Sequence, residues 1–248
     1  MPYAAQGHLD YKKLYEKDYF HSRGMRTLFD EPYDSKHFDQ FLAKLKTVVP
    51  VTRETRVLDL ASGLGSRAWH LSKHVKSVDA VDIAPTANEF ARKHYERENL
   101  TFHEGDILTW EGQGTYDLVL LVSIYEHLTR EDQDALMERA KRWLAPGGRL
   151  AVHVAIGESF LGRRKLRKSP TGTIDFTGDP THLHAFDVPT LHAHFAQHGY
   201  DVAAEYRRYS SYLLSGRMWE RIFRWFRMPM KWRNEFVLEL LPAYSLRS

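Results

Sequence analysis

Apolar residues recur along the chain in two alternating patterns, one typical of buried strands and one typical of amphipathic helices. The short apolar runs predict strands at 57–60, 77–83, 101–107, 116–123, 149–156, 200–206 and 235–241. The segments between them predict helices at 34–46, 66–71, 87–99 and 130–144, and one more that begins after Asp187. Strands that alternate with helices are typical of an α/β domain with a parallel sheet.

The order of these elements predicts a Rossmann-like α/β fold, with a seven-stranded, doubly wound sheet whose last strand is antiparallel. We expect one domain over residues 1–248. Its predicted parts are an N-terminal helical cap (1–50), a ligand-binding core (51–206), a helical insertion between strands six and seven (207–234), and the last strand with its tail (235–248).

The composition of the chain excludes some classes of function and disfavours others. The net charge of +3, from 35 basic and 32 acidic residues, is too small to indicate nucleic-acid binding by itself. The chain has no cysteine, which excludes disulfides, thiolate metal sites and cysteine nucleophiles. Its longest apolar run, near 118–122, is far shorter than the ~20 residues of a spanning helix. These features predict a cytoplasmic protein, and a peripheral membrane association stays open.

A glycine-containing loop follows the first predicted strand. Asp59 lies in that strand, a turn of small residues runs from Ala61 to Gly65, and a helix begins just beyond. Such a loop directs backbone N–H groups and a helix N-terminus toward one ligand site. Gly63 and Gly65 alone make a weak dinucleotide fingerprint. The carboxylate of Asp59 would repel a pyrophosphate and suits a cationic ligand, such as the sulfonium and amino groups of S-adenosylmethionine.

With Asp59, Gly63 and Gly65 in place, the loop resembles motif I of the class I S-adenosylmethionine-dependent methyltransferases of the small-molecule type. The resemblance extends over about residues 50–206 and implies S-adenosyl-L-methionine as the cofactor. Ala61 stands where the family usually has a glycine, and an alanine is expected to keep ordinary backbone angles there.

The ends of the next strands carry further candidate cofactor residues. Asp82 lies at about the distance from the loop at which an acidic residue binds ribose hydroxyls, with helix capping as the alternative. Asp106 and Ile107 match the positions at which the resembled family binds the adenine amino group and ring, with a surface turn as the alternative. The predicted cofactor site consists of Asp59, Ala61, Gly63, Gly65, Asp82, Ile83, Asp106, Ile107 and Ser123.

Three histidines are candidate general bases, because a neutral imidazole can accept the proton of an alcohol or phenol. His127 belongs to a Glu-His-Leu segment after strand four that looks like the post-strand segment of small-molecule methyltransferases. His182 and His184 match a segment that faces the methyl acceptor in many family members. We expect His182 or His184 to be the base ahead of His127, although each could instead hold a loop. No metal site is predicted, since no third ligand has suitable spacing.

Several segments keep more than one interpretation. Tyr11 to Tyr19 is either a lid over the cofactor or part of a packed helix. The basic loop 163–168 is either a solvated charge run or a contact for an anionic substrate. The predicted helix 217–226 has aromatic residues on one face and arginines on the other. It could pack on the domain, roof a substrate pocket, form a homodimer contact or lie on a membrane surface.

These features predict methyl transfer from S-adenosylmethionine to a small-molecule acceptor. The histidines favour an acceptor oxygen, as in a sugar, a phenol or quinol, or a lipid-linked intermediate, and a nitrogen or carbon acceptor stays open. One alternative is a catalytically silent binding module of the same fold. Another is a nucleic-acid methyltransferase, but the chain lacks a Pro-Pro-Tyr-type sequence after strand four, so we expect no nucleic-acid partner.

Overall fold

The computed structural model describes residues 10–15, 35–112, 114–157, 167–168, 174–175, 181–209, 222, 225 and 237–247. The main strands are β1 (Arg56–Leu60), β2 (Ser77–Asp82), β3 (Leu100–Glu104), β4 (Tyr116–Val122), β5 (Leu144–Ala155), β6 (Tyr200–Tyr209) and β7 (Val237–Leu246). The helices are α1 (Tyr11–Leu14), α2 (Ser35–Lys46), α3 (Ser66–Ser72), α4 (Pro85–His94), α5 (Arg130–Trp143) and α6 (Val188–Gln197), with a 3-10 turn at Tyr125–His127.

These strands form one seven-stranded sheet in the order β3-β2-β1-β4-β5-β7-β6. Strands β1 to β5 pair in parallel, while β7 runs antiparallel to both β5 and β6. The predicted Rossmann-like sheet with an antiparallel last strand is therefore confirmed. That last strand lies between β5 and β6, so it is not an edge of the sheet.

Helices cover both faces of the sheet, which explains why its central strands are almost continuously apolar. On β1, Val57 and Leu58 belong to two different buried clusters, because successive side chains point to opposite faces. One cluster includes α5 and α6 side chains such as Met137 and Phe195. The other includes Phe38 on α2, which therefore packs on the opposite face of the sheet.

Several element ends differ from the predicted ones. Strand β3 ends at Glu104 because the chain then turns, and the carbonyl of Asp106 accepts the N–H groups of Thr109 and Trp110 at 2.9 and 2.7 Å. Helix α4 ends at His94. Strand β5 begins directly after α5, at Leu144, so Pro146, Gly147 and Gly148 lie inside the strand.

The region predicted as an insertion also begins and ends later than expected. Strand β6 continues to Tyr209, past the predicted start at 207, and β7 runs from Val237 to Leu246. Between them, the structure describes only Ile222 and Trp225, both helical, with Trp225 84% exposed. The rest of the predicted helix 217–226 lies outside the described residues.

The predicted basic loop 163–168 falls mostly outside the described residues as well. Its last two residues, Arg167–Lys168, pair with Ile174–Asp175 in a separate two-stranded ladder. Within the described part of the chain, no helix is both long and apolar enough to cross a membrane.

Candidate active site

A cavity opens at the carboxyl ends of the parallel strands, where open α/β sheets bind their ligands. With its mouth it holds about 800 Å³ of empty space, which is within the size range of small-molecule sites. Loops after β1, β2, β3 and β4 form most of its wall, and the α1 segment closes one side. It is lined by Tyr11, Tyr15, Ala61, Gly63, Asp82, Ile83, Asp106, Ile107, Ser123, Ile124, His127 and Leu128.

Most of the predicted cofactor residues meet in this cavity: Ala61, Gly63, Asp82, Ile83, Asp106, Ile107 and Ser123. Asp59 and Gly65 do not line it. These residues are far apart in sequence, but the parallel sheet places the ends of their strands side by side. The pattern of strand ends in the sequence therefore identified residues that are neighbours in the fold.

Asp59 has a different environment from the one we expected. Its side chain is fully buried, and Arg67 on α3 pairs with it through Nη2 at 2.8 Å and Nε at 3.2 Å. Because this guanidinium already neutralises the carboxylate, Asp59 does not present a free charge to a cationic ligand. It instead ties α3 to the end of β1, since Arg67 also lies 3.4 Å from the carbonyl of Ala61.

The two loop glycines are required for different reasons. Gly65 has φ +82°, and a Cβ there would lie 2.6 Å from the ring of Phe102 and 2.7 Å from the Cβ of Ala91. Gly65 therefore allows close packing behind the loop. Gly63 has φ +58° but nothing within 4 Å of such a Cβ. It lines the cavity, so its missing side chain leaves room for a ligand to approach the backbone.

Two residues other than glycine have positive φ in the described chain, and both line the cavity. They are Ala61 at φ +55° and Ser123 at φ +53°. The expectation that Ala61 keeps ordinary backbone angles was wrong, because the loop imposes the left-handed conformation whatever the residue. Each such residue costs on the order of 1–3 kcal/mol, and strain of this kind concentrates at functional sites.

Asp82 connects the glycine loop to the start of α4. Its Oδ2 accepts the N–H of Gly63 at 2.7 Å, and its Oδ1 accepts the N–H of Ala84 at 2.9 Å. Burial raises the pKa of Asp82, while these two N–H groups stabilise its ionised form. The two interpretations from the sequence are thus compatible, because the carboxylate caps the backbone before α4 and also lies on the cavity wall.

A second, shallower depression continues the cavity past Asp106. It shares Tyr11, Ile83 and Asp106 with the cavity and adds Asp10, Lys12, Glu104 and Gly105. Lys12 reaches Glu104 at the end of β3 with a 3.3 Å ion pair. The Oδ1 of Asp106 accepts the N–H of Leu108 at 2.8 Å, which fixes the turn predicted there.

The α1 segment is part of the cavity wall, and Tyr11 and Tyr15 also belong to a buried core cluster. The described part of Tyr11 to Tyr19 is thus compatible with both interpretations, and residues 16–19 lie outside the described residues. Tyr11 donates its hydroxyl to Asp132 on α5 at 2.6 Å and accepts the N–H of Thr129 at 3.1 Å. Burial and the hydrogen bond to Asp132 raise the pKa of Tyr11. Tyr11 therefore anchors the segment, and Tyr15 on the same segment faces His127 edge-on, with 6.1 Å between the ring centroids.

The three candidate bases occupy different positions relative to the cavity. His127 lines it, and the His127 Nδ1 lies 2.9 Å from the Thr181 hydroxyl. His182 is buried next to it, with 4.5 Å between the two ring centroids. His184 does not line the cavity, and burial together with the Arg130 charge lowers its pKa. Of the three, only His127 lies in the cavity wall, whereas the sequence favoured His182 or His184 as the base.

A backbone connection explains why His182 lies beside His127. The carbonyl of Glu126 accepts the N–H groups of Leu183 at 2.9 Å and His184 at 3.2 Å. The segment before α6 is thus held against the 3-10 turn after β4. Sequence spacing did not reveal this contact, because the two segments are joined only in the folded chain.

Two groups of side chains in the described residues could hold a metal ion. In one, Glu126, His127 and His182 are all buried and offer ligand atoms within 4.8 Å of one another. In the other, Asp134, His194 and His198 lie outside the cavity wall. The sequence analysis predicted neither, because both groups combine residues from separate segments.

Comparison with known proteins agrees with this architecture. Residues 57–148 match a family model described as a methyltransferase domain. Phosphoethanolamine N-methyltransferase of Plasmodium falciparum (isolate 3D7) is 25% identical over 147 residues, which are 57% of this chain and 55% of that protein. The mitochondrial ubiquinone biosynthesis O-methyltransferase of Schizosaccharomyces pombe (strain 972 / ATCC 24843) is 29% identical over 136 residues, 49% of this chain and 48% of that protein.

The chain spans about half the length of these two curated relatives. A solved structure described as a DhpI-SAM-HEP complex has a TM-score of 0.61 at 16% identity, and the match covers 97% of this chain and all of that one (100%). This similarity establishes a shared Rossmann-like fold. The family match shows a methyltransferase domain over residues 57–148, in agreement with the resemblance of the glycine loop to the class I S-adenosylmethionine-dependent methyltransferases.

Proposed function

We propose that the cavity binds S-adenosylmethionine and that the chain transfers the methyl group to a hydroxyl oxygen of a small-molecule acceptor. The observation that carries this proposal is one continuous cavity with two chemically different ends. Gly63, Asp82 and Asp106 lie at successive strand ends on one side, and His127 lies in the wall on the other.

The first end has the groups that a nucleoside needs. The Asp82 carboxylate can accept hydrogen bonds from ribose hydroxyls, and Asp106 with Ile107 offers an acceptor and an apolar surface to adenine. The open space at Gly63 fits a ligand that lies against the backbone. When bound, S-adenosylmethionine supplies a methyl group that its sulfonium has already activated for displacement. The protein then has to align the acceptor and receive its proton.

The second end suits proton removal. His127 is buried in the wall, and the Glu126 carboxylate lies within 4.8 Å of it together with His182. A carboxylate at this distance can compensate the positive charge that the imidazole gains when it accepts a proton. Thr181 holds the other side of the ring at Nδ1. We therefore assign the general-base role to His127, with Glu126, Thr181 and His182 as positioning residues.

The apolar wall near His127 favours acceptors with a ring or a lipid chain. Tyr15, Ile124 and Leu128 border this end of the cavity. Sugars, phenols or quinols, and lipid-linked intermediates remain the acceptor classes that we propose. An amine is the second candidate, since one of the relatives is named for N-methylation of phosphoethanolamine and the other for O-methylation in ubiquinone biosynthesis.

The proposal is tested by incubating the protein with S-adenosylmethionine labelled in its methyl group and panels of hydroxyl and amine acceptors. We expect labelled product from at least one hydroxyl acceptor and release of S-adenosylhomocysteine in equal amount. The same assay with a chelator separates the two roles open to the Glu126, His127 and His182 group. Turnover should persist if His127 is a base. Its loss in the wild type and equally in a folded Asp134→Asn variant, which lacks one ligand of the second group, would mean that the Glu126, His127 and His182 group holds a required metal.

Product formed only from amines would overturn the oxygen assignment while leaving methyl transfer intact. Cofactor binding without turnover across both panels would favour the catalytically silent module. The Asp82→Asn variant is the control in both panels, because it should weaken cofactor binding and leave the acceptor end unchanged.

A further inference from the structure

Four side chains of types that can bind metals face one another between α5 and α6, and none of them lines the cavity. Asp134 and Glu138 lie one turn apart on α5. His194 lies on α6, and His198 is the residue that ends this helix. Residues four apart share one face of a helix, so each helix presents two potential ligands to the other.

The distances between these side chains are close to those of a metal site. Nε2 of His198 lies 3.0 Å from Oδ1 of Asp134, and Nε2 of His194 lies 3.5 Å from the same oxygen. One ligand atom from each of the three residues lies within 4.8 Å of the others. Tetrahedral zinc has bonds of ~2.0–2.1 Å, which place its ligand atoms roughly 3.3 Å apart. The two distances from Asp134 lie on either side of that value.

Among these four side chains, His194 is the one whose hydrogen bonding is left incomplete by the described protein groups. It is 7% exposed, and its Nε2 has no hydrogen-bond partner among the described residues. An ion between this nitrogen and Asp134 would satisfy both groups.

Glu138 is placed as an outer partner of such a site. Its Oε1 lies 3.0 Å from Nδ1 of His198, on the opposite side of the ring from Asp134. A carboxylate that accepts Nδ1–H fixes the tautomer in which Nε2 carries the lone pair, an arrangement common around metal-binding histidines. Lys141 also pairs with Glu138, at 2.7 Å, and keeps this carboxylate in place.

We propose that Asp134, His194 and His198 bind a divalent transition-metal ion of the zinc type, with Glu138 orienting His198. Asp134 is half-exposed, with 48% of its side chain accessible, which gives the ion a path from solvent and leaves room for a water ligand. The positive charge of Arg130 opposes a cation here, and the two carboxylates offset it. A bound ion would join α5 to α6 and stabilise the fold, independently of methyl transfer.

The test is calorimetric titration of zinc chloride into tag-free, chelator-stripped protein. We expect the wild type to bind one zinc equivalent that both Asp134→Asn and His198→Gln lose. The matched control is His182→Gln, which removes a histidine of the Glu126, His127 and His182 group and should keep this equivalent. Asp134 is on the surface, so Asp134→Asn provides a folded variant even if His198→Gln destabilises the chain.

The Glu138→Gln variant provides a second measurement, in which we expect an intermediate loss of zinc affinity. Loss of an outer-shell partner typically weakens metal affinity by about 10–100-fold without removing the site. Zinc should also raise the melting temperature of the wild type and of His182→Gln, but not that of Asp134→Asn. Unchanged zinc stoichiometry and affinity in folded Asp134→Asn would overturn the proposal, as would a wild type whose melting temperature does not respond to zinc.

Discussion

The two ends of the cavity differ in how their residues are brought together. At the cofactor end, Ala61 and Gly63 follow β1 and Asp82 ends β2, so the parallel sheet makes them neighbours. At the acceptor end, His127 contacts Thr181, 54 residues away in sequence, and the carbonyl of Glu126 holds the segment that carries Thr181. The residues at the first end are therefore positioned by the sheet, and those at the second end are positioned by contacts between loops.

This difference has a consequence for substitutions. Changes at the cofactor end should alter nucleoside binding or the stability of the loop, with little effect on proton transfer. Changes at the acceptor end should alter turnover and leave nucleoside affinity nearly constant. The following four variants test this separation from the largest expected effect to the smallest.

His127→Ala should have the largest effect, on turnover. Loss of a general base typically lowers the rate by ~10²–10⁴-fold. Affinity for S-adenosylhomocysteine should change little, because Asp82 and Asp106 lie at the other end. The measurement is kcat with an active acceptor beside a calorimetric dissociation constant. The control is His184→Ala, which removes a histidine outside the cavity wall and should retain most of the turnover. Equal losses in the two variants would contradict the assignment of His127.

Asp82→Asn should weaken cofactor binding by about 1.5–3 kcal/mol, since a charged acceptor of hydrogen bonds becomes a neutral one. The amide keeps the shape of the side chain, and its oxygen can still accept the N–H of Gly63 or Ala84. Binding of S-adenosylhomocysteine by titration calorimetry measures the change. A dissociation constant equal to that of the wild type, in a folded variant, would remove Asp82 from the cofactor site.

Gly65→Ala should lower the free energy of unfolding by about 1–3 kcal/mol more than its matched control, because overpacking forces the neighbours apart. The control is Gly199→Ala, which has nearly the same backbone angle, φ +80°, but no atom within 4 Å of the new Cβ. Urea denaturation of both variants separates the clash with Phe102 from backbone strain. Equal destabilisation would mean that strain alone explains the requirement for Gly65.

How far the sequence could anticipate the site depends on the kind of contact. The assignment of Asp106 and Ile107 followed from the resemblance to a known family. The positions of the strands and of Asp82 followed from apolar runs, their ends and the spacing of one acidic residue, which are local properties. The environment of Asp59 could not be predicted in this way, because the neutralisation of its carboxylate depends on the reach of the Arg67 side chain. For a related reason the sequence did not indicate which histidine lines the cavity, since the backbone bonds of Glu126 to Leu183 and His184 join two segments that are separate in the sequence.

Ala61→Gly should have the smallest effect. Glycine adopts φ +55° without the steric cost that alanine pays, but it loses more backbone entropy on folding. We expect the free energy of unfolding to rise by less than about 1 kcal/mol, with cofactor affinity unchanged or slightly improved. Thermal denaturation with and without S-adenosylhomocysteine measures both quantities. A clear loss of stability would show that the loop does not strain Ala61.

The measurement that tests the central claim most directly is a calorimetric comparison of ligands on the wild-type protein. S-adenosylmethionine, S-adenosylhomocysteine and NAD are titrated separately under the same conditions. The account predicts saturable binding of both sulfur nucleosides and weaker binding of NAD, because the described cavity wall carries the carboxylates of Asp82 and Asp106 and no lysine or arginine to bind a pyrophosphate. Tighter binding of NAD than of either sulfur nucleoside would contradict it.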